Sequence, residues 1–423
     1  MGFYFKTIRR CRSCSSRHLL SVLSLGKQYV SDFLNSKQVS QVKVPLELVL
    51  CDKKRGGCGL LQLKHNTSLE LMYRHYWYHS GMNKTMRAAL ADITEKVEQI
   101  LPLRRRDIVL DIGCNDGTLL ESYRVSGLVR AGFEPSTNLV RLTRKKAHKV
   151  FNDFFNYEAF HKAFPRKKAM AITSIAMFYD LEDPNRFVAD VARSLAPEGL
   201  WIIQMSYLLS MLKQNSFDNI CHEHLEYYSM ASLAPLLQRH GLKVVDVERN
   251  DVNGGSFRIY IQHAGMKNVK IAGAAKRLAA MQREEFHAKL EDPKTYAQFA
   301  QRILAIKEKL CSFMKKETAR GKKIYVYGPS TKGNTLLQFL GLRVDVIPKA
   351  ADKNREKWGK KTVGSEIPII SEAAARKERP DYFLILPWHF LKEFQSREKK
   401  YLKKGGKFIV PLPRFKIIGA NNR

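Results

Sequence analysis

One short segment concentrates the titratable side chains of this chain, and we call residues 217–229 the acid–base block. His222, Glu223, His224 and Glu226 stand within five positions of one another there. Imidazole titrates near neutral pH, and an adjacent carboxylate can hold it in one tautomer. The block therefore predicts general acid–base chemistry. The structural alternative is a set of polar residues that cap a helix beginning near Ser229.

A metal site in the block is not favoured. His222 and His224 are separated by one residue, whereas the histidines of a helical zinc protease site are four positions apart.

A glycine-containing turn follows the apolar segment 107–112. Gly113 and Gly117 let the backbone approach a ligand where a Cβ would collide. Glu134 ends the next predicted strand, where an acid can accept both ribose hydroxyls of an adenosine. A dinucleotide site would have G-x-G-x-x-G, but this turn has G-x-x-x-G preceded by Asp111. The pattern favours S-adenosylmethionine over NAD, and a turn without a ligand is the alternative.

Four of the seven cysteines lie in the first 70 residues and have the arrangement of a zinc site. Cys11 and Cys14 form a pair separated by two residues, and Cys51 and Cys58 form a second, wider pair. Two such pairs can complete a tetrahedral shell of four thiolates around a structural zinc ion. Four unrelated reduced cysteines are the alternative. An odd number of cysteines in a large chain argues against a disulfide framework.

The order of apolar segments predicts three regions, and the second and third have α/β character. Residues 1–70 are expected to be a loop-rich zinc-binding domain, and 71–272 an α/β domain with a mostly parallel sheet. Its predicted strands are 107–112, 129–134, 169–176, 200–206, 242–248 and 256–263. Residues 273–423 are expected to hold a charged helical connector, 273–320, and a second α/β unit. The strands of that unit are predicted at 323–328, 344–348, 382–386 and 407–411.

The formal charge of +33 is dispersed in short basic runs along the whole chain. Such runs are typical of solvated surface, although they attract substrates that carry phosphate. Dispersed charge argues against the rival hypothesis of a nucleic-acid-binding or RNA-modifying protein. No apolar run is long enough for a membrane span, and residues 1–6 lack the apolar core of a signal peptide. We therefore expect a soluble, monomeric, cytoplasmic protein.

In order and spacing, the motifs of this chain resemble the sugar C-methyltransferases, which act on nucleotide-linked keto-deoxysugars and make branched sugars. The resemblance covers nearly the whole chain. It is carried by residues 58–63, 76–81, 111–117, 133–136, 152–155, 223–229, 253–258, 327–328, 332–337, 364–369, 387–388 and 411–413.

The resemblance implies a small zinc-binding domain, a central class I Rossmann-like methyltransferase domain and a C-terminal Rossmann-like α/β domain. By resemblance, Glu223 and His224 take the place of the family's catalytic Glu-His pair, and His224 is the general base that forms an enolate. His222 is the next candidate for the base. The remaining implied site residues are Tyr76, Tyr78, Tyr227 and Tyr228 as donors to the enolate oxygen, and Asn115, Asp153 and Phe154 at the cofactor.

The implied reaction is C-methylation of a nucleotide-linked keto-6-deoxysugar, which makes a branched sugar for a surface polysaccharide or a natural product. This chain departs from the family at two places. It has Cys221 where many relatives have tyrosine, and Phe178-Tyr179 where several have histidine. The enolate-stabilising role therefore lies elsewhere, or the substrate differs. An O- or N-methyltransferase of a saccharide is the enzymatic alternative. The turn 332–334 can hold a substrate diphosphate or no ligand.

Overall fold

The computed structural model describes residues 5–35, 37–38, 42–68, 72–73 and 76–420. Its N-terminal part contains β1 (Phe5–Thr7), β2 (Leu19–Tyr29), β3 (Phe33–Leu34), β4 (Lys43–Cys51), β5 (Leu61–Leu63) and β6 (His65–Thr67). The expectation of a loop-rich region is wrong for β2 and β4. Along β4, Val44, Leu46 and Leu48 alternate with more exposed residues, as in a strand with one buried face. The predicted boundary between residues 70 and 71 lies outside the described residues.

The central domain alternates strands and helices. Its helices are α1 (Lys84–Ile100), α2 (Thr118–Glu121), α3 (Thr137–Thr143), α4 (Tyr157–Ala163), α5 (Pro184–Ser194), α6 (Leu208–Lys213) and α7 (Met230–Arg239). Its strands are β7 (Ile108–Ile112), β8 (Val129–Phe133), β9 (Lys149–Phe151), β10 (Ala169–Ile175), β11 (Leu195–Ser206), β12 (Glu226–Tyr227), β13 (Leu242–Asn250) and β14 (Ser256–His263). The sequence prediction did not include β9, a three-residue strand at the edge of the sheet.

Seven of these strands form one sheet in the order β13-β14-β11-β10-β7-β8-β9. All neighbours pair in parallel except β14, which is antiparallel to both β11 and β13. Strand β7 is buried on both faces, which explains its continuous apolar sequence. The chain leaves β7 at the point where the strand order reverses, and ligands bind in the crevice there in open α/β sheets.

Strand β12 leaves the central sheet and extends the N-terminal one. It pairs antiparallel with β5, in a sheet of order β12-β5-β4-β2. Because β12 is residues 226–227 of the acid–base block, that block is continuous with the N-terminal domain through backbone hydrogen bonds.

The C-terminal region begins with two charged helices, α8 (Ala274–His287) and α9 (Pro293–Ala319), in agreement with the predicted connector. Then follow β15 (Ile324–Tyr327), α10 (Thr331–Leu340), β16 (Ala350–Asp352), β17 (Lys361–Thr362), β18 (Ile369–Ser371), α11 (Glu372–Lys377), β19 (Tyr382–Ile385), α12 (Leu391–Arg397), α13 (Lys399–Lys403), β20 (Lys407–Val410) and β21 (Lys416–Ile418). Six strands form a second sheet of order β18-β16-β15-β19-β20-β21.

The strand predicted at 344–348 is wrong, since the chain makes a turn there. The amides of Val346 and Ile347 donate to the carbonyl of Arg343, and Pro348 has no amide hydrogen for a strand ladder. The strand lies instead at β16, where the small side chains of Ala350 and Ala351 are fully buried. No helix in the described part of the chain is long and apolar enough to cross a membrane.

Candidate active site

The turn after β7 makes a narrow cradle. Gly113 has φ +72°, and a Cβ on it would lie 3.1 Å from the Met177 side chain. The amides of Gly113 and Cys114 both donate to the carbonyl of Phe133, which ties the turn to the end of β8. Because glycine places no side chain toward the cavity here, a ligand such as S-adenosylmethionine can approach the backbone closely.

Two carboxylates stand beside this cradle. Glu134 accepts hydrogen bonds from the backbone amides of Asn115 and Ser136, both at 2.8 Å, so its orientation is fixed before any ligand binds. Asp111 accepts from the Thr173 hydroxyl at 2.6 Å. Burial raises the pKa of Glu134 and raises the pKa of Asp111 to about 7. Preoriented, poorly hydrated carboxylates suit the hydroxyl groups and positive charge of S-adenosylmethionine.

Residues 76–82 cover this pocket. The side-chain carbonyl of Asn115 accepts from the amide of Ser80 at 2.9 Å, and its amide group donates to the carbonyl of Tyr78. Asp116 accepts from the amide of Gly81 at 2.7 Å. These bonds fix residues 78–81 over the pocket. Tyr76 and Tyr78 line the cavity, together with Asp153 and Phe154 from the end of β9.

Gly117 does not line the cavity. It has φ +75°, and a Cβ there would lie 3.1 Å from the Thr143 side chain at the end of α3. The positive φ and the close packing against Thr143 require glycine at this position. The helix that follows, α2, has only four residues.

His224 is held as a base. Its Nδ1 lies 2.9 Å from the backbone carbonyl of Asn219, and because a carbonyl only accepts, Nδ1 must carry the hydrogen. In the neutral ring the other nitrogen, Nε2, is unprotonated, and it has no hydrogen-bond partner among the described residues. Burial, followed by the charge of Lys332, lowers the pKa of His224 well below its ordinary value. The ring packs against Tyr179, with centroids 4.3 Å apart.

Glu223 lies next to His224 in the cavity lining and is only 5% exposed. Burial raises the pKa of Glu223 to about 7, although Lys332 and the side chain of Thr331 act in the opposite direction. At neutral pH this carboxyl group can therefore both donate and accept a hydrogen bond. In either form it can hydrogen-bond to a hydroxyl group of a ligand.

One cavity of about 680 Å³ joins the cofactor cradle to the acid–base pair. Its lining includes Gly113, Glu134 and His224 of the central domain and residues 328–332 of the C-terminal domain. This volume lies within the usual range of small-molecule sites. The cavity is therefore large enough to bind two ligands that react with each other.

Three residues that the sequence offered as catalytic candidates lie outside this cavity. His222 Nε2 is 3.1 Å from the carbonyl of Val44 in β4, and burial lowers the pKa of the ring to about 4. Tyr227 donates its hydroxyl to the carbonyl of Asn219 at 3.3 Å, and Tyr228 is fully buried. The hydrogen bonds of His222 and Tyr227 and the full burial of Tyr228 place these groups in the packed interior.

The zinc ligands assemble as the sequence predicts. The sulfur atoms of Cys11, Cys14, Cys51 and Cys58 all lie within 4.8 Å of one another. The separations are 3.6 Å between Cys11 and Cys58 and 3.5 Å between Cys14 and Cys51. A tetrahedron with Zn–S bonds of about 2.3 Å has sulfur–sulfur edges of roughly 3.8 Å, so a zinc ion fits. Gln62 and the amide of Cys58 donate to two of the sulfur atoms.

Arg12 joins residues 11–14, which we call the zinc knuckle, to the acid–base block. Its guanidinium lies 3.7 Å from the Glu226 carboxylate, and both side chains are at most 2% exposed. Arg12 also donates to the carbonyl of Leu63 at 2.6 Å and to the Gln62 side chain at 3.3 Å. Burial raises the pKa of Glu226, and the charge of Arg12 acts against this rise.

Three residues that the sequence analysis did not assign to the acid–base site contact it. Asn219 fixes the His224 tautomer, Tyr179 packs on its ring, and Lys332 donates to the Asn219 side chain at 2.6 Å. Asn219 lies within the acid–base block, and this position could have identified it as a site residue from the sequence. Lys332 is over 100 residues further along the chain, and only the docking of the C-terminal domain brings it here.

Comparison with known protein families divides the chain into three matched segments. A zinc binding domain matches residues 11–73, a methyltransferase domain residues 82–247, and a C-methyltransferase C-terminal domain residues 251–413.

The chain is 30% identical over 421 residues to the C-methyltransferase NovU of Streptomyces niveus, covering 99% of this chain and 98% of that protein. It is 25% identical over 130 residues to 27-O-demethylrifamycin SV methyltransferase of Amycolatopsis mediterranei, which is 30% of this chain and 48% of that protein. Among solved structures, the CcbJ methyltransferase of Streptomyces caelestis superposes with a TM-score of 0.35 at 12% identity, over 45% of this chain and 94% of that one.

Proposed function

Because this chain belongs to the S-adenosylmethionine-dependent C-methyltransferases that carry an N-terminal zinc-binding domain, we propose that it methylates a carbon next to the ketone of a nucleotide-linked keto-6-deoxysugar. The product is a branched-chain sugar. The observation that carries this proposal is the unprotonated Nε2 of His224, which lies in the same cavity as the cofactor cradle.

The ketone makes the neighbouring C–H bond acidic enough for an imidazole base. His224 Nε2 takes this proton, and the Nδ1 hydrogen bond to Asn219 keeps the ring in the correct tautomer as its charge develops. When bound, S-adenosylmethionine supplies the electrophilic methyl group that the carbon takes up. Glu223 holds a sugar hydroxyl, which places the reacting carbon beside His224. The Tyr76 hydroxyl, whose pKa burial raises, stays protonated and can donate to the substrate.

Two features support a substrate with a diphosphate. The cavity extends past the acid–base pair to Ser330, where helix α10 begins, and helix N-termini attract phosphate groups. Lys357 lies in the same lining, donating to the carbonyl of Pro329 and paired with Asp352. The net positive charge of the chain also favours the approach of an anionic substrate.

The test uses a panel of nucleotide-linked keto-deoxysugars. The wild-type enzyme is expected to methylate at least one of them, and the mass and NMR position of the methyl group identify the carbon. With S-adenosylhomocysteine in place of the methyl donor, the enzyme should exchange the hydrogen next to the ketone in heavy water.

His224→Ala is expected to lose exchange and methylation together, by roughly 10²- to 10⁴-fold. His222→Asn is the matched control, since that ring lies outside the cavity, and its exchange should stay near the wild-type rate. A methyl group on oxygen would contradict the proposal. Full exchange in His224→Ala with loss in His222→Asn would move the base to His222.

A further inference from the structure

Lys332 brings the C-terminal domain into the acid–base block. It lies in the first turn of α10 and lines the cavity together with Glu223 and His224. Its Nζ donates to the Asn219 side chain at 2.6 Å, while the backbone carbonyl of Asn219 holds His224. An ammonium group has three donors, so this contact leaves two for a ligand. In the described part of the chain, Lys332 makes no salt bridge with a carboxylate.

The carboxyl groups around Lys332 determine which kind of anion its ammonium group can stabilise. Asp218 and Glu223 are at most 5% exposed; burial raises the pKa of each carboxyl group, and the charge of Lys332 acts against this rise. A diphosphate brings a permanent charge of about two, which would further disfavour the ionised forms of these buried carboxyl groups. An oxygen that becomes negative only as a proton moves to the neighbouring imidazole adds no net charge to the site.

No other group of the block offers an equivalent charge. Burial raises the pKa of Cys221 well above its ordinary value, so its thiol stays neutral and is a weak donor. The Tyr227 hydroxyl already donates to the carbonyl of Asn219. Burial lowers the pKa of His389, a histidine of the C-terminal domain, to about 3, so its ring is neutral. Lys332 is therefore the cation that faces this part of the cavity.

We propose that Lys332 is a further catalytic residue, whose ammonium group stabilises the negative charge on the ketone oxygen when His224 removes the neighbouring proton. This inference rests on the proposed function. The electron pair of the C–H bond becomes a C=C bond, the carbonyl π pair moves onto oxygen, and the proton stays on His224 Nε2. Electrostatic stabilisation of a developing oxyanion by a positioned donor is a large contribution to catalysis.

The test measures hydrogen exchange in heavy water with S-adenosylhomocysteine and the keto-deoxysugar nucleotide that the wild-type enzyme accepts from the panel. Lys332→Met should lower the exchange rate and kcat together by about 10²- to 10³-fold, with KM for the sugar within about threefold of wild type. Lys332→Arg keeps the charge and is expected to recover part of both rates. Cofactor affinity by calorimetry and the unfolding midpoint, both unchanged, show that the variant is folded.

Lys349→Met is the matched control, because Lys349 belongs to the same domain but pairs with Glu378 outside the cavity. Its rates should equal those of the wild type. A higher KM with normal exchange at saturation in Lys332→Met would assign the lysine to diphosphate binding and overturn this inference alone. A wild-type enzyme that methylates without any exchange would overturn the proposed function as well.

Discussion

The N-terminal domain holds the acid–base block mainly through its backbone and the buried Arg12, whereas the C-terminal domain reaches the block with side chains. On the N-terminal side, β12 pairs with β5, and His222 lies against the carbonyl of Val44. On the C-terminal side, Lys332 contacts Asn219, and the Trp388 indole donates to Asp218 at 3.0 Å. The first kind of contact determines where the block lies. The second kind determines the charge that the block experiences.

This difference gives the two domains separable roles. The strand ladder and the metal site of the N-terminal domain form only when the backbone is folded correctly, so changes to them should alter folding stability. A lysine at the end of a flexible side chain contributes little to stability but acts strongly on groups in a poorly hydrated cavity. Changes on the N-terminal side should therefore alter stability first, and changes at the cavity should alter rates and affinities.

The largest expected effect comes from removing zinc ligands. Metal analysis of the purified protein should find one zinc ion per chain. Because a structural zinc site contributes about 10–16 kcal/mol, Cys14→Ser combined with Cys58→Ser should abolish soluble, folded protein. Cys311→Ser is the control, since that cysteine lies outside the cluster. Wild-type solubility of the double variant, or purified wild-type protein without zinc, would contradict the role of the N-terminal domain in folding.

The next effect concerns the buried contact between the zinc knuckle and the block. Arg12→Met leaves Glu226 buried without its counter-ion, which should lower the free energy of unfolding by about 3–5 kcal/mol. Denaturant titration measures this change. Arg239→Met is the matched control, because Arg239 also donates to the knuckle, at Ser13, from a more exposed position. Equal losses in the two variants would remove the special role of the buried arginine.

The cofactor cradle sharpens the comparison because the central domain alone supports it. Glu134→Ala removes the carboxylate proposed to bind the ribose hydroxyls, which should weaken S-adenosylmethionine binding by about 2–3 kcal/mol in calorimetry. Hydrogen exchange at saturating S-adenosylhomocysteine should be unaffected. Glu121→Ala, on the exposed side of α2, is the control. Unchanged affinity in Glu134→Ala would exclude that contact.

The smallest effect is the pH dependence of stability from Glu223. Its folded pKa of about 7 lies above the value of an exposed glutamate, so its neutral form stabilises the fold at low pH. This contribution is lost as the pH rises from about 4.5 through 7. Glu223→Gln should therefore be more stable than wild type at pH 8, by roughly 1–3 kcal/mol, with the difference vanishing near pH 4.5. A constant difference across this range would contradict the buried, titrating carboxyl.

Much of the central site follows from local sequence. The apolar run into Gly113, the acid at the end of β8 and the histidine pair each depend on a few adjacent residues, and the structure places Gly113, Glu134 and His224 in one cavity. Local patterns failed where neighbours override them. At residues 344–348 the chain makes a turn that ends in Pro348 instead of the predicted strand. The domain boundaries near residues 70 and 272 stay predictions.

The sequence by itself determined the chemistry that is available: four thiols in two pairs, a glycine turn beside acids, and imidazoles in one short block. Only the tertiary structure decided which imidazole is the base. His222 and His224 are two positions apart in the turn that precedes β12 and look equivalent in sequence. Pairing of β12 with β5 turns the first toward Val44 and leaves the second beside Asn219 and Lys332. The physical reason is that hydrogen bonds between distant segments, which no local pattern encodes, set the tautomer, burial and nearby charge of each ring.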